Sequence, residues 1–451
     1  MTKTRILLGS ALVLSLAAFM SALTRPQPHL AKPGEVVTSN GRGVRIEARQ
    51  SHSAVHESGS ELFTELTVTL LDDGTVTKLE QAATIALVLD TSGSMSGSKM
   101  EDARRAAHRL VDSLTERDQL SLATFGSEVT STPPHYLTAE NKAALHATID
   151  ALQPSGSTNM SGGLERGWSM LRGAQGSKRL VLVSDGQPTV GLTTEAELAT
   201  LAGRVHDDSI TVTALGVGAD IDGPIMLHLS ERGGGMYGYL KDAGALEEIL
   251  GREVAAARTP SVRNVELTLD TRLFGVAEAP GRHLTWKGNH QVLHLADLPL
   301  NVPTRVLLKL HSVSAMPGEL AHLGAAVTWS TLDGPLQRSE VALETPVVED
   351  PELVAKSRDE AVFSRGVAAV GSEKLLAAVA AWERGDSSSA TSLLDNARAL
   401  FGMSADALAG SDVDEVRQRM AKPTSAEDRR DYGRKLERKK LSNFGLENSG
   451  Y

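Results

Sequence analysis

Two kinds of hydrophobic pattern divide the chain. Near its beginning and again after residue 260, apolar residues alternate with polar ones, as they do in half-buried β-strands. The alternating segments lie at residues 44–48, 66–70, 265–269, 306–310 and 327–329. Two strands are too few to form a domain by themselves. We therefore expect residues 40–80 and 261–349 to form the two parts of one β-sandwich.

Between these parts, continuous apolar runs of strand length alternate with helical patterns. The runs lie at residues 84–89, 120–125, 179–184, 210–217 and 236–240, and the helical patterns at 100–114, 141–152, 194–206, 224–231 and 245–257. Thr194 and Glu197 have the spacing of a capping box. Fully apolar strands joined by helices favour a mostly parallel, doubly wound sheet that is covered on both faces. We expect this α/β domain to span residues 83–257.

The pattern after residue 350 is typical of helices alone. Apolar residues with helical spacing occur at 375–382 and 390–400, and Gly385 with Asp386 separates them. This predicts a helical hairpin within a helical region at residues 351–445, although one copy cannot establish a repeat array. The segment 429–440 is rich in Arg and Lys. We interpret it as a solvated helix face in preference to a contact with an anionic surface.

Composition narrows the range of functions. With 451 residues the chain is long enough for about two or three domains. It contains no cysteine, which excludes disulfides, thiolate metal sites and a cysteine nucleophile. The formal net charge of −10 argues against general nucleic-acid binding, because no basic excess is present to replace counterions along the phosphates.

The first 33 residues predict an export signal. Lys3 and Arg5 precede an uncharged apolar segment at residues 6–23, which is just long enough to span a bilayer. Ser15-Leu16-Ala17 fits a small-x-small cleavage site but leaves a short apolar core. We expect an exported protein that is periplasmic, in the cell envelope or secreted. Cleavage would release it, and an uncleaved N-terminal helix would anchor it in the membrane.

Oxygen-bearing side chains follow two of the predicted buried strands. Asp90, Ser92 and Ser94 come directly after one apolar run, Asp185 follows another, and Thr158 lies in a Gly/Ser loop between them. In a doubly wound sheet, ligands bind beyond the carboxyl ends of strands, where the winding reverses. Two carboxylates and three hydroxyls suit a hard cation that takes oxygen ligands. The alternative interpretation is that Asp90 and the serines only cap the next helix.

This ordered set resembles the metal-ion-dependent adhesion site of the von Willebrand factor type A family, in which D-x-S-x-S is followed by a Thr and then an Asp. The similarity covers residues 84–257, and the matching positions, with none missing, are Asp90, Ser92 and Ser94 in the first loop, Thr158 in the second and Asp185 in the third. The resemblance implies a bound Mg²⁺, or another divalent cation such as Mn²⁺ or Ca²⁺. The hydroxyls would bind it directly and the Asp residues often through water.

The resemblance also implies a function. A protein partner would offer a Glu or Asp that completes the coordination of the cation, so the chain would be an adhesion or assembly module and not an enzyme. The two carboxylates cancel the charge of a divalent cation and leave no excess of negative charge. An open coordination position on the cation would therefore still attract an acidic side chain.

Two other functions remain open from the sequence. Residues 93–100 lie between a strand and a helix, as a phosphate-binding P-loop of a nucleotide hydrolase does. However, Ser98 replaces the second Gly of that motif, and Met100 replaces the Ser or Thr that holds Mg²⁺. The other alternative is a structural spacer with a vestigial site, and the completeness of the five oxygen ligands counts against it.

Cell fractionation tests the export prediction. We expect the full-length chain outside the cytosol or in the membrane fraction. Changing Leu12 and Leu14 to Arg should retain it in the cytosol, because each charge in an apolar segment opposes membrane insertion by about 2.5–3.5 kcal/mol. Wild-type chain found soluble in the cytosol with its N-terminus intact would contradict the prediction.

Overall fold

The computed structural model of the chain describes most residues between 29 and 444. The described ranges are 29–30, 32, 35–41, 43–72, 82–174, 177–185, 188–217, 223–240, 251, 253–254, 257–258, 261–282, 284–295, 297–330 and 335–444. The apolar segment at 6–23 and most of the predicted helix at 245–257 lie outside them. No helix within the described ranges is long and apolar enough to cross a membrane.

The strands, in chain order, are β1 (His29–Leu30), β2 (Val37–Gly41), β3 (Val44–Gln50), β4 (Val55–His56), β5 (Glu61–Leu70), β6 (Ala83–Asp90), β7 (Gln119–Phe125), β8 (Val129–Ser131), β9 (His135–Tyr136), β10 (Ser177–Ser184), β11 (Ile210–Val217), β12 (Gly234–Leu240), β13 (Ser261–Arg272), β14 (Phe274–Glu278), β15 (Thr285–Lys287), β16 (His290–Leu295), β17 (Leu298–Pro299), β18 (Pro303–Ser312), β19 (Leu320–Ser330) and β20 (Gln337–Val348). The helices are α1 (Ser98–Ser113), α2 (Ala139–Asp150), α3 (Met160–Leu171), α4 (Glu195–Asp207), α5 (Gly223–Arg232), α6 (Pro351–Lys356), α7 (Glu360–Glu383), α8 (Ser387–Phe401), α9 (Ala405–Ala409), α10 (Val413–Met420) and α11 (Ala426–Lys440).

A mostly parallel sheet forms the middle of the chain. Its order in the described residues is β12-β11-β10-β6-β7-β8, and β9 also pairs with β7. All pairs among β6, β7, β10, β11 and β12 are parallel, whereas β8 and β9 run antiparallel to β7. Helices α1 and α2 cover one face and α3, α4 and α5 the other, so β6 and β11 are buried along their whole length. This confirms the predicted α/β class.

Two antiparallel-rich sheets pack face to face beside this domain. One has the order β1-β20-β19-β13-β16-β15, with β4 and β17 at its margins, and the other has the order β14-β18-β5-β3-β2. Their inner faces form one hydrophobic core in which Ile46 and Leu66 lie together with Leu267 and Trp329. Segments before and after the α/β domain therefore share one sandwich, while the domain limits given above remain predictions.

The C-terminal helices pack on the outer face of the five-stranded sheet. Phe63 of β5 belongs to the core of the helical region, and a Cβ on Gly366 of α7 would lie 2.1 Å from its ring. An ion pair between Arg365 and Glu65, with Nε and Oε2 2.6 Å apart, supports the same contact. Helices α7 and α8 form the predicted hairpin, and the turn between them contains Gly385 with φ +84°.

One part of the basic segment is not a solvated face. The side chain of Lys440, at the end of α11, is only 2% exposed, and its Nζ lies 2.7 Å from Oδ2 of Asp412. It also donates a hydrogen bond of 2.6 Å to the carbonyl oxygen of Gly410. The interpretation of this segment as solvated is therefore wrong at Lys440, because the ammonium is buried with its partners.

No helix is predicted from the sequence between residues 152 and 179, yet α3 lies there. Its glycines are sites of close packing on the sheet. A Cβ on Gly163 would lie 2.6 Å from the ring of Phe125, and one on Gly167 would lie 2.7 Å from Val88. The absence of these side chains lets the helix approach β6 and β7 closely, so residues that normally disfavour a helix are required in this one.

Asp118 fixes the beginning of the central strand β6. Its Oδ1 accepts a 2.8 Å hydrogen bond from the backbone N–H of Ala83, and its Oδ2 accepts bonds from Thr115 and from Arg258. Burial opposes ionisation of Asp118, but these donors outweigh it and hold the pKa of Asp118 below its ordinary value.

Changing Asp118 to Ala should lower the free energy of unfolding by about 3 kcal/mol, because it leaves the buried N–H of Ala83, the donors of Thr115 and the guanidinium of Arg258 without their partner. Urea denaturation at neutral pH would measure the loss. The pKa of Asp118 is lowered on folding, so its contribution is complete above the ordinary Asp range and is lost as the pH falls through the folded-state pKa. Glu116→Ala, at an exposed position nearby, is the control, and an equal loss in both variants would contradict the assignment.

Candidate functional site

The two carboxylates singled out from the sequence lie at one edge of the central sheet. Strands β6 and β10 are parallel neighbours, and Leu89 pairs with Val183. Asp90 at the end of β6 and Asp185 just after β10 therefore reach the same edge. From this point β7 lies on one side and β11 on the other, which makes it the switch point of the doubly wound sheet.

A continuous chain of hydrogen bonds joins four of the five predicted site residues. The backbone N–H of Ser92 donates to Oδ1 of Asp90 at 2.7 Å, which closes a tight turn after the strand. The hydroxyls of Ser92 and Ser94 are 2.9 Å apart, and Ser94 donates to Oδ1 of Asp185 at 2.8 Å. The hydroxyl of Ser184 donates to Oδ2 of Asp90 at 2.5 Å.

Backbone contacts hold the loop of Thr158 beside this chain. The N–H of Gly93 donates to the carbonyl oxygen of Gly156 at 3.1 Å, which ties the second loop to the first. The N–H of Thr158 donates to the hydroxyl of Thr189 at 2.9 Å, and the N–H of Thr189 donates back to the carbonyl oxygen of Thr158. Among the described residues, no hydrogen bond joins the Thr158 hydroxyl to the other four site residues. The structure places Thr158 in a loop that is tied to the first loop through the backbone of Gly93 and Gly156.

The site combines buried carboxylates with one exposed hydroxyl residue. Asp90 and Asp185 are both 0% exposed, and Ser92 and Thr158 are also buried, whereas Ser94 is exposed. Burial raises the pKa of Asp90 above its ordinary value despite the hydrogen bonds from Ser184 and Ser92, and the neighbouring Asp185 carboxylate raises it further. A positive charge near Asp90 would favour its ionised form and offset the cost of burying that charge.

Lys99 supplies a positive charge to the second acid, Asp185, and was not among the site residues predicted from the sequence. Its Nζ lies 2.6 Å from Oδ2 of Asp185. The sequence signal for it was its place at the start of the helix that follows the serine loop, within the P-loop-like stretch. The next residue, Met100, is buried in the core under α1. The P-loop alternative thus lacks a hydroxyl for Mg²⁺ at this position.

The donors present fit a hard cation. Within the described residues, no three His, Asp or Glu side chains are grouped so that they could hold a metal ion. The set at this edge is instead two carboxylates and three hydroxyls, and an all-oxygen set is what Mg²⁺ and Ca²⁺ take. The raised pKa of Asp90 is consistent with a place for added positive charge.

Changing Asp90 to Asn should stabilise the fold at neutral pH in EDTA. The folded-state pKa of Asp90 is raised, so the group's stabilising contribution is complete below the ordinary Asp range and is lost as the pH rises through the folded-state pKa. Asn resembles the protonated form. Thermal unfolding over a pH series should show a higher Tm for the variant at pH 7 and a difference that closes at acidic pH. A variant less stable than wild type at pH 7 would contradict this account.

Comparison with known proteins agrees with the fold of the central domain. A model of the von Willebrand factor type A domain matches residues 84–252. The chain is 32% identical over 199 residues to inter-alpha-trypsin inhibitor heavy chain H2 from Sus scrofa, a match that covers 40% of this chain and 20% of that protein. It is 24% identical over 204 residues to the uncharacterized protein YfbK of Escherichia coli, covering 44% and 35%. The chain thus spans less than two thirds of the length of either relative.

Solved structures share the fold over more of the chain. One is the von Willebrand factor type A protein from Catenulispora acidiphila, with a TM-score of 0.62 and 17% identity over 84% of this chain and 91% of that chain. Another is the ArnB paralog VWA2 from Sulfolobus acidocaldarius, with a TM-score of 0.57 and 14% identity over 84% and 98%. Taken with the family match and the parallel sheet, these findings show that the chain contains a von Willebrand factor type A domain at residues 84–252.

Proposed function

We propose that this chain is a metal-dependent protein-binding module that serves adhesion or assembly outside the cytoplasm. Its cation, Mg²⁺ or a similar divalent ion such as Mn²⁺ or Ca²⁺, would be held by Asp90, Ser92, Ser94, Thr158 and Asp185. The observation that carries the proposal is the hydrogen-bonded chain from Asp90 through the two serines to Asp185. Residues from separate loops converge there at the sheet edge where this fold binds ligands.

Each residue has a role that follows from its contacts. Ser92 and Ser94 present hydroxyl oxygens, and Asp185 orients the Ser94 hydroxyl by accepting a hydrogen bond from it. Ser184 and the backbone N–H of Ser92 hold Asp90 in place. When bound, the cation would supply a coordination position for a carboxylate oxygen of a partner.

The surroundings of the site suit a protein partner. Ser94 is exposed, so the site is open at that residue. Val190 is 42% exposed and lies next to Thr158, because its N–H donates to the Thr158 carbonyl oxygen at 3.3 Å. An exposed apolar side chain beside a polar site offers contact area to a partner whose Glu or Asp enters the site. The net charge of −10 gives no support for a nucleic-acid partner.

The location outside the cytoplasm is part of the proposal and rests on the sequence. The basic residues Lys3 and Arg5 followed by the apolar segment 6–23 are its support. Anchoring by that segment, like its cleavage, is proposed on the same ground.

Titration of Mg²⁺ into the full-length chain by calorimetry tests the site. We expect saturable binding to wild type, binding weakened roughly tenfold or more by Ser94→Ala or Thr158→Ala, and none to Asp90→Ala, since each change removes an oxygen donor or its support. Ser96→Ala is the matched control because Ser96 lies in the same loop, is exposed and bonds only to the Gly93 carbonyl oxygen among the contacts described. Circular dichroism should show that all variants are folded.

The same proteins test the binding function. Capture of a partner should require Mg²⁺ and fail with EDTA or with Asp90→Ala, and calorimetry with ATP should show no saturable binding. Partner capture that survives both EDTA and Asp90→Ala would contradict the adhesion mechanism. Saturable, Mg²⁺-dependent ATP binding would favour the nucleotide hydrolase, and unchanged Mg²⁺ binding in every variant would place the cation elsewhere.

A further inference from the structure

Lys99 is a charged residue that contacts the site but is not one of its five oxygen donors. It lies in the first turn of α1, and its Nζ reaches Oδ2 of Asp185 at 2.6 Å. The other oxygen of Asp185 accepts a hydrogen bond of 2.8 Å from the hydroxyl of Ser94. Both carboxylate oxygens of Asp185 are therefore occupied, one by a neutral donor and one by a cation of the chain itself.

Because this ion pair is buried, the positive charge of Lys99 acts strongly on any cation placed nearby. The side chain of Asp185 is 0% exposed and that of Lys99 is 21% exposed, so water screens the pair less than it would screen a surface ion pair. An added divalent cation near Asp185 would be repelled by the ammonium over a short distance. Lys99 thus opposes cation binding at the place where the two carboxylates favour it.

The charge balance of the site changes when Lys99 is counted. Asp90 and Asp185 carry two negative charges, which would cancel the charge of one divalent cation. The ammonium of Lys99 adds one positive charge, so the loaded site is left with a net positive charge. A single carboxylate from a partner neutralises that charge, whereas a neutral ligand does not.

We propose that Lys99 is a specificity-determining residue of this site, which lowers its affinity for divalent cations and raises the preference of the loaded site for a carboxylate. This inference rests on the proposed function, since it assumes that the five oxygen donors hold a cation. A merely structural role for Lys99 predicts the opposite result. If the ammonium only held Asp185 in position, its removal would weaken cation binding.

Calorimetric titration of Mg²⁺ into the full-length chain and Lys99→Met tests the proposal, because Met keeps an unbranched side chain without the charge. We expect Lys99→Met to bind Mg²⁺ roughly tenfold more tightly than wild type. Lys99→Arg retains the charge and should bind as wild type does. Lys287→Met is the matched control, since Lys287 also forms an ion pair, with Glu266 at 3.0 Å, but on the exposed surface of the sandwich.

Acetate serves as the carboxylate probe. In acetate buffer, compared with chloride buffer of equal ionic strength, Mg²⁺ should bind wild type more tightly, and this gain should be smaller in Lys99→Met. Opposite changes in the two measurements, tighter Mg²⁺ binding and a weaker acetate effect, are the result that a positioning role cannot produce.

The outcomes separate the two proposals. Mg²⁺ binding that is unchanged or weaker in a folded Lys99→Met would overturn the role of Lys99 and leave the proposed function intact. Equal tightening in Lys99→Arg and Lys99→Met would also overturn it, because charge would not be the cause. No Mg²⁺ binding to wild type or to either variant would reject the metal site itself, and the role of Lys99 with it.

Discussion

Two buried carboxylates beside each other at one edge of a parallel sheet are the constraint on which this site depends. Asp90 and Asp185 are brought together because β6 and β10 are neighbours in register. Neither is exposed, and burial of like charges is costly unless donors or cations compensate. The backbone N–H of Ser92, the hydroxyls of Ser94 and Ser184 and the ammonium of Lys99 supply part of this compensation.

The rest of the domain keeps these groups in place. Helices on both faces bury β6 completely, and Asp118 binds its first residue at the opposite end from Asp90. The glycines of α3 allow that helix to approach the same strand closely. Packing along the whole strand fixes Asp90 at its end. Ser92, Ser94 and Thr158 lie in loops, and the backbone hydrogen bond from Gly93 to Gly156 holds these loops together.

In one short stretch, the contacts made in the folded chain decide what a loop can bind, and the local sequence alone does not. Residues 93–100 follow a strand and run into a helix, as a P-loop does, yet Met100 is directed into the core and Lys99 contacts the carboxylate just after the neighbouring strand β10. The lysine that could have contacted a phosphate is instead bonded to Asp185. The same loop therefore presents serine hydroxyls and one ammonium around two acids, which is an arrangement for a cation and its anionic ligand.

The sequence by itself determined the α/β class, because its strands are continuously apolar and its helices are amphipathic, and it indicated the capping box at Thr194, which the structure contains. It also singled out Asp90, Ser92, Ser94, Thr158 and Asp185, because they match an ordered pattern of oxygen-bearing residues and the two acids follow buried strands. It did not indicate α3, because the glycines of this helix are needed for its close packing against Phe125 and Val88, which only the fold brings near. It also did not indicate the burial of Lys440. The contacts of Lys99 and Ser184 with the two acids were decided by tertiary structure alone, because they depend on strand order and on the pairing of residues distant in the chain. Local propensity carries no information about either.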